Sequence, residues 1–157
     1  MSITKLNNLS LSAVTALPSG VGGKVLQVVT GTDSTTRSTT STSYVTASNT
    51  LSVSITPSSA SNKVFVIVST SARVTDQTFL TIYRGATNIG NSEGMVELYF
   101  NTSSGDHRCG VTMSILDSPS TTSATTYQLY LKVASGSTGY INHNSTKCSI
   151  TAFEIGA

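Results

Sequence analysis

Four side chains in this sequence are of the kind that hold a soft divalent metal: His107 and Cys109, two apart, and His143 and Cys148, five apart. On paper they form a His₂Cys₂ zinc set. Neither spacing is that of a zinc pair, so the residues read as two solvated loop histidines and two cysteines that fill a core. The two cysteines permit one disulfide without demanding it, and cytoplasmic synthesis favours reduced thiols. Gly20-Val21-Gly22-Gly23-Lys24 has the glycines of a phosphate loop but not its length, its preceding strand or its following helix, and reads as a hinge. There is no GxSxG elbow. The acids Asp76, Glu93, Glu97, Asp106, Asp117 and Glu154 show no spacing that would pair two carboxylates for glycoside chemistry. Asn8, Asn101 and Asn144 each open an N-x-S/T triplet, which a Ser/Thr-rich chain produces by chance. Tyr99, Phe100, Tyr127, Tyr130 and Tyr140 could offer stacking faces to a sugar, but most alternate with aliphatics and read as core or subunit interface. The expectation is a protein that is not an enzyme and needs no cofactor or metal.

The elements that carry these residues are β-strands. The chain has 157 residues, one domain's worth. Only 10% of them are charged, whereas Ser and Thr make up roughly a third of the chain, far above average usage. Thr is β-branched, and Ser/Thr ladders can face water without charge. A net charge of +2, dispersed along the chain, argues against nucleic acid as a partner. No apolar run approaches the ~18 residues of a membrane span, and the N-terminus lacks the basic and apolar regions of a signal peptide. Synthesis and folding in a cytoplasm are expected.

Leu51, Val53 and Ile55 alternate with Ser52, Ser54 and Thr56, which is the period of a strand with one buried face. Pro57 stops the run, residues 58–62 make a polar turn, and Val64 to Val68 form an apolar, β-branched run. The expectation is a hairpin whose second strand is central and buried on both faces. Further strands are expected at 24–30, 43–47, 79–83, 95–100, 110–116, 127–133, 140–141 and 149–155, with loops at 32–42, 86–94 and 101–106. Strands about ten residues apart with no helical segment predict an all-β, antiparallel sandwich over residues 24–157, of jelly-roll type, with first and last strands as neighbours.

Residues 1–23 differ from the rest of the chain. Ile3, Leu6, Leu9, Leu11, Val14 and Leu17 are spaced irregularly, and Gly20, Gly22 and Gly23 form a hinge after them. Such an apolar arm reads as an attachment segment, to be covered by its own domain, a sister subunit or another protein.

The segments LPSGVGGKVLQVV, TSYVTASNTLSVSITPSSASNKVFVIVS, IYRGATNIG, ILDSPSTTSATTYQLYLKV and SITAFEIGA, in that order over residues 17–157, resemble a β-domain of tailed-bacteriophage virion proteins. That family includes distal tail-fibre domains and jelly-roll capsid cement proteins. The resemblance implies a non-enzymatic structural protein on the virion surface that forms a homotrimer. With so little chain ahead of the domain, a capsid cement (decoration) protein bound through its arm to the major capsid protein or another virion protein is expected first. A tail-fibre tip that recognises host surface polysaccharide is the alternative. The resemblance carries no catalytic residues.

Overall fold

A computed structural model describes residues 24–100 and 107–157. The arm residues Ile3, Leu6, Leu9, Leu11, Val14 and Leu17, the hinge Gly20, Gly22 and Gly23, and the turn expected at 101–106 lie outside the described residues. Twelve strands run in chain order: β1 (Val25–Asp33), β2 (Arg37–Thr39), β3 (Val45–Thr46), β4 (Ser52–Ile55), β5 (Lys63–Val74), β6 (Gln77–Arg84), β7 (Thr87–Asn88), β8 (Val96–Tyr99), β9 (His107–Asp117), β10 (Thr125–Val133), β11 (Gly139–Ile141) and β12 (Cys148–Ile155). A 3-10 turn, His143–Ser145, precedes β12.

Every strand pairing is antiparallel, and the strands form two sheets. The first sheet runs β1-β12-β5-β9, extended at one end by β11 beside β5 and β2 beside β11. The second runs β4-β10-β6-β8, with β3 also on β10 and β7 also on β6. Taken as eight principal strands in chain order, the sheets read 1-8-3-6 and 2-7-4-5, the connectivity of a jelly-roll sandwich. The first and last strands pair along their length, from Val25 with Ile155 to Asp33 with Cys148. The core lies between the sheets. Val64, Val66, Val68, Ile150 and Ala152 from the first meet Val53, Ile55, Leu80, Ile82, Leu129 and Leu131 from the second.

This connectivity corrects the expected hairpin. β4 pairs with β10, whereas β5 pairs with β12 and β9, so the segment between β4 and β5 crosses from one sheet to the other. The crossing is held by Glu154. Its Oε1 accepts from the Ser58 N–H (2.6 Å), the Ser58 hydroxyl (2.7 Å) and the Asn62 side-chain amide (2.6 Å). Burial alone would raise the Glu154 pKa; the hydrogen bonds from Ser58 and Asn62 outweigh it, and the carboxyl ends below its ordinary value. β5 is central, but alternates buried with half-buried or exposed positions and so has one core face, not two. The stretch 32–42 is not all loop: β1 reaches Asp33 and β2 occupies Arg37–Thr39. β7 likewise interrupts the turn-rich segment 86–94.

The sandwich closes tightly at one edge. A Cβ on Gly31 of β1 would lie 2.5 Å from the Ser52 carbonyl and 3.0 Å from that of Thr50, so only glycine lets β1 approach the start of β4. Beside it the buried Asp33 accepts from the Ser48 hydroxyl and, at 2.9 Å, from the Thr35 N–H, and faces Arg37 at 3.5 Å. Burial would raise its pKa; bonds from Ser48, Thr35 and Thr50, with the Arg37 charge, hold it well below the usual carboxylate range.

Candidate functional site

The residues set aside for metal chemistry lie near one end of the first sheet, but not as a ligand set. His107 opens β9 and stacks on Phe100, with ring centroids 4.3 Å apart and planes at 4°. It is therefore a half-buried strand residue and not the solvated loop residue expected from the Asn/Ser/Gly/Asp cluster ahead of it. His143 sits in the 3-10 turn, edge-on to Tyr140 at 6.1 Å. Cys109 lies opposite Ala72 on one side of β5. Cys148 lies on the other side, where the Ser71 N–H reaches its sulfur at 3.4 Å. Two strand spacings, roughly 10 Å, separate the cysteines, beyond the ~7 Å Cα limit of a disulfide, and both are free thiols. Cys148 is core, as expected; Cys109 is only half-buried, with burial pushing its pKa up. Among the described residues no three His, Cys, Asp or Glu side chains gather as a metal site.

The acids hold turns and strand ends. Asp117 accepts from Arg84 Nη1 at 2.9 Å through both oxygens and from the Tyr127 hydroxyl at 2.6 Å. Burial first, then the bond to Asp117 and its charge, raise the Tyr127 pKa against a smaller opposing effect of Arg84. Glu93 meets Lys132 at 3.3 Å, and Glu97 accepts from Gln77 at 2.5 Å. Of the aromatics named from sequence, Tyr127 is fully buried. Tyr130 stacks on Tyr83 at 3.9 Å on the outer face of the second sheet, with Tyr44 tilted against Tyr83 at 6.0 Å. Lys132 lies over Tyr44 and Phe79, at 5.0 and 4.7 Å. Burial first, and the Glu93 charge next, push the Tyr44 hydroxyl up to about 12.

The surface with most to say is the outer face of the first sheet. The register sets Val28 of β1 opposite Phe153 of β12, Phe153 opposite Phe65 of β5, and Phe65 opposite Leu116 of β9. One apolar row thus crosses all four strands, about 14 Å wide, with the two phenyl rings 6.1 Å apart at its centre. Its ends are open to solvent: Val28 is 54% and Leu116 51% exposed, and Val25 and Leu26 on the same edge are 52% and 54% exposed. Next comes Thr30-Thr151-Ile67-Ser114, then Thr32-Ser149-Ser69-Thr112, and at the far end Ser71 faces Gly110 and Arg73 faces Arg108. From the apolar row toward Arg108 the face therefore grades from apolar to hydroxylic to basic, while Lys63, opposite Ile155, lies beyond the apolar row at the other end. Sequence periodicity assigned several of these residues to strands but could not align them, because only the pairing register places Val28 and Leu116 on one line.

No protein-family model matches the chain, and no curated protein matches it.

Proposed function

We propose that the chain is a non-enzymatic structural protein of a tailed-phage virion surface. In this reading it forms a homotrimer through the outer face of its first sheet and is fixed to the particle as a capsid cement protein by its apolar N-terminal segment. The observation that carries the reading is the row Val28-Phe153-Phe65-Leu116. A sheet face that exposes a contiguous apolar row in a chain so rich in Ser and Thr supports a contact surface there, and the ordered blocks from LPSGVGGKVLQVV to SITAFEIGA support the family. The segment holding Ile3, Leu6, Leu9, Leu11, Val14 and Leu17 leads directly into β1 at the edge of that row. It supplies apolar side chains for a capsid surface, and three such tethers on one trimer multiply a weak contact into slow release.

The test separates assembly from attachment. By analytical ultracentrifugation the unaltered chain should sediment as a trimer, and the double variant Val28→Lys, Leu116→Lys should be a folded monomer, because both positions are exposed in the single chain. Deleting residues 1–17 should leave the trimer but abolish decoration of particles lacking the protein. A monomeric unaltered chain, a trimeric double variant, or full decoration by the truncated protein would each overturn the reading.

A further inference from the structure

At the basic end of the same sheet face, β5, β9 and the loop before β12 enclose an open groove of about 280 Å³. Its polar lining is Ser71, Arg108, His143, Asn144 and Thr146, and among the described residues that line it none is acidic. One wall is a fixed loop. Asn142, Asn144 and Ser145 all have positive φ, at 53°, 59° and 56°, a costly backbone state that persists only where the surroundings impose it. The surroundings here do so: the fully buried Asn142 donates from its side chain to the Thr35 carbonyl (3.1 Å) and from its N–H to the Ser71 carbonyl (3.0 Å). Its own carbonyl accepts from the Thr36 hydroxyl at 2.9 Å. The hydroxyls of Ser71 and Thr146 are hydrogen-bonded to each other across the floor.

Two further features lie at the groove. Gly110 sits within the 11-residue strand β9, and a Cβ built on it meets nothing within 4 Å. Glycine weakens a strand interior and can mark a place where a ligand or another backbone approaches closely; no part of the described chain comes that near here. Arg108 directly opposes Arg73 across the β5–β9 pair, which places two guanidinium groups at this end of the face. Arg73 is held over the Tyr140 ring at 4.4 Å, and Arg108 faces the groove.

From this geometry we infer that the groove binds an acidic saccharide unit, a sugar bearing a carboxylate. Arg108 would receive the carboxylate in its planar fork, and Ser71, Thr146 and Asn144 would meet the ring hydroxyls. The volume exceeds what a bare phosphate or sulfate fills and falls just under the range of drug-sized pockets, which suits a single sugar ring. A nucleic acid would need a basic track, whereas the chain's net charge is +2 and one arginine lines the groove. This inference does not depend on where on a particle the protein sits.

The test is an amide NMR titration of the full chain with glucuronic acid, glucose and inorganic phosphate. Glucuronic acid should shift the amides of Ser71, Gly110 and Asn144 with a Kd of about a millimolar, and glucose and phosphate should each bind about tenfold more weakly or not at all. Gly110→Val should fold as well as the parent, because its side chain enters open space, and should abolish the shifts. Arg108→Gln should weaken binding about tenfold or more. Phosphate binding as tightly as the uronate would show a bare anion site and overturn the inference. So would the absence of any shift with glucuronic acid, or unchanged binding by both variants.

Discussion

Glu154→Ala is expected to loosen the crossing between the two sheets more than any surface change nearby. Three donors converge on Oε1 of a residue 2% exposed. Hydrogen bonds to a charged group contribute about 1.5–3 kcal/mol each, and a buried donor left without a partner costs about 1–3 kcal/mol. The two donors of Ser58 are at the surface and can turn to water, whereas the Asn62 amide, 6% exposed, keeps the Ser58 hydroxyl at 3.1 Å but is too buried to exchange the carboxylate for water. The loss should therefore be about 3–4 kcal/mol, or a fall in Tm of roughly 10 °C for a chain of this size. Glu154→Gln keeps an oxygen at the Oε1 position and loses only the charge, costing about 1–2 kcal/mol. The pH dependence has a definite sign. The folded pKa lies below the ordinary glutamate value of 4.5, so the ionised carboxylate stabilises the fold fully above that value, and the contribution disappears as pH falls through the folded pKa. Urea unfolding from neutral pH to about pH 3 measures both effects. Between about pH 5 and 3 the parent should lose more stability than Glu154→Gln; Asp33, also depressed, titrates in both proteins and cancels in the comparison. If Glu154→Ala came within about 1 kcal/mol of the parent, or if parent and Glu154→Gln lost stability in parallel, the account of the crossing would be wrong.

Gly31→Ala should destabilise the domain by about 1–3 kcal/mol in the same assay, because its Cβ would meet the Ser52 and Thr50 carbonyls and push β1 off β4. A parent-like Tm would mean that this edge has slack. With a thiol reagent under native conditions, Cys109 should react slowly and Cys148 only on unfolding, since the first is half-buried with a raised pKa and the second lies in the core. Two fast-reacting thiols, or none in denaturant, would contradict their placement.

The strands were largely legible because each is written in local alternation. Tyr127, Leu129, Leu131 and Val133 point inward from β10, as their spacing says, and β12 closes the chain against β1. Partnership was not legible. Leu51, Val53 and Ile55 declare one buried face but say nothing about which sheet they join, and nearness in sequence suggested β5. The turn is tied by a carboxylate 92 residues from Asn62, a contact that leaves no mark in the local pattern. The stretch His107–Cys109 was hidden for a different reason: its polar, turn-prone neighbours outweigh three residues whose pairing with Ala72, Arg73 and Val74 is entirely long-range. The groove, in turn, depends on the absence of a side chain at Gly110, which sequence cannot distinguish from an ordinary strand glycine.

The grading of the outer face matters for how the two proposals fit together. Along β5 the apolar row is at Phe65 and the groove at Ser71, six positions apart, or about 20 Å at the rise of a strand. Trimer contacts built on Phe65, Phe153, Val28 and Leu116 would therefore leave Arg108 and Gly110 uncovered, with the Ser/Thr rows as a hydrated boundary. Three grooves on one assembly would convert a millimolar contact with one sugar into avid binding to a polysaccharide that repeats the unit. The Val28→Lys, Leu116→Lys variant, designed to be monomeric, separates the two ideas. It should keep the parent's affinity for glucuronic acid while losing most of its retention on an acidic polysaccharide. If single-sugar affinity fell with the trimer, the groove would be part of the subunit contact, and the division of this face into an assembling end and a binding end would be wrong.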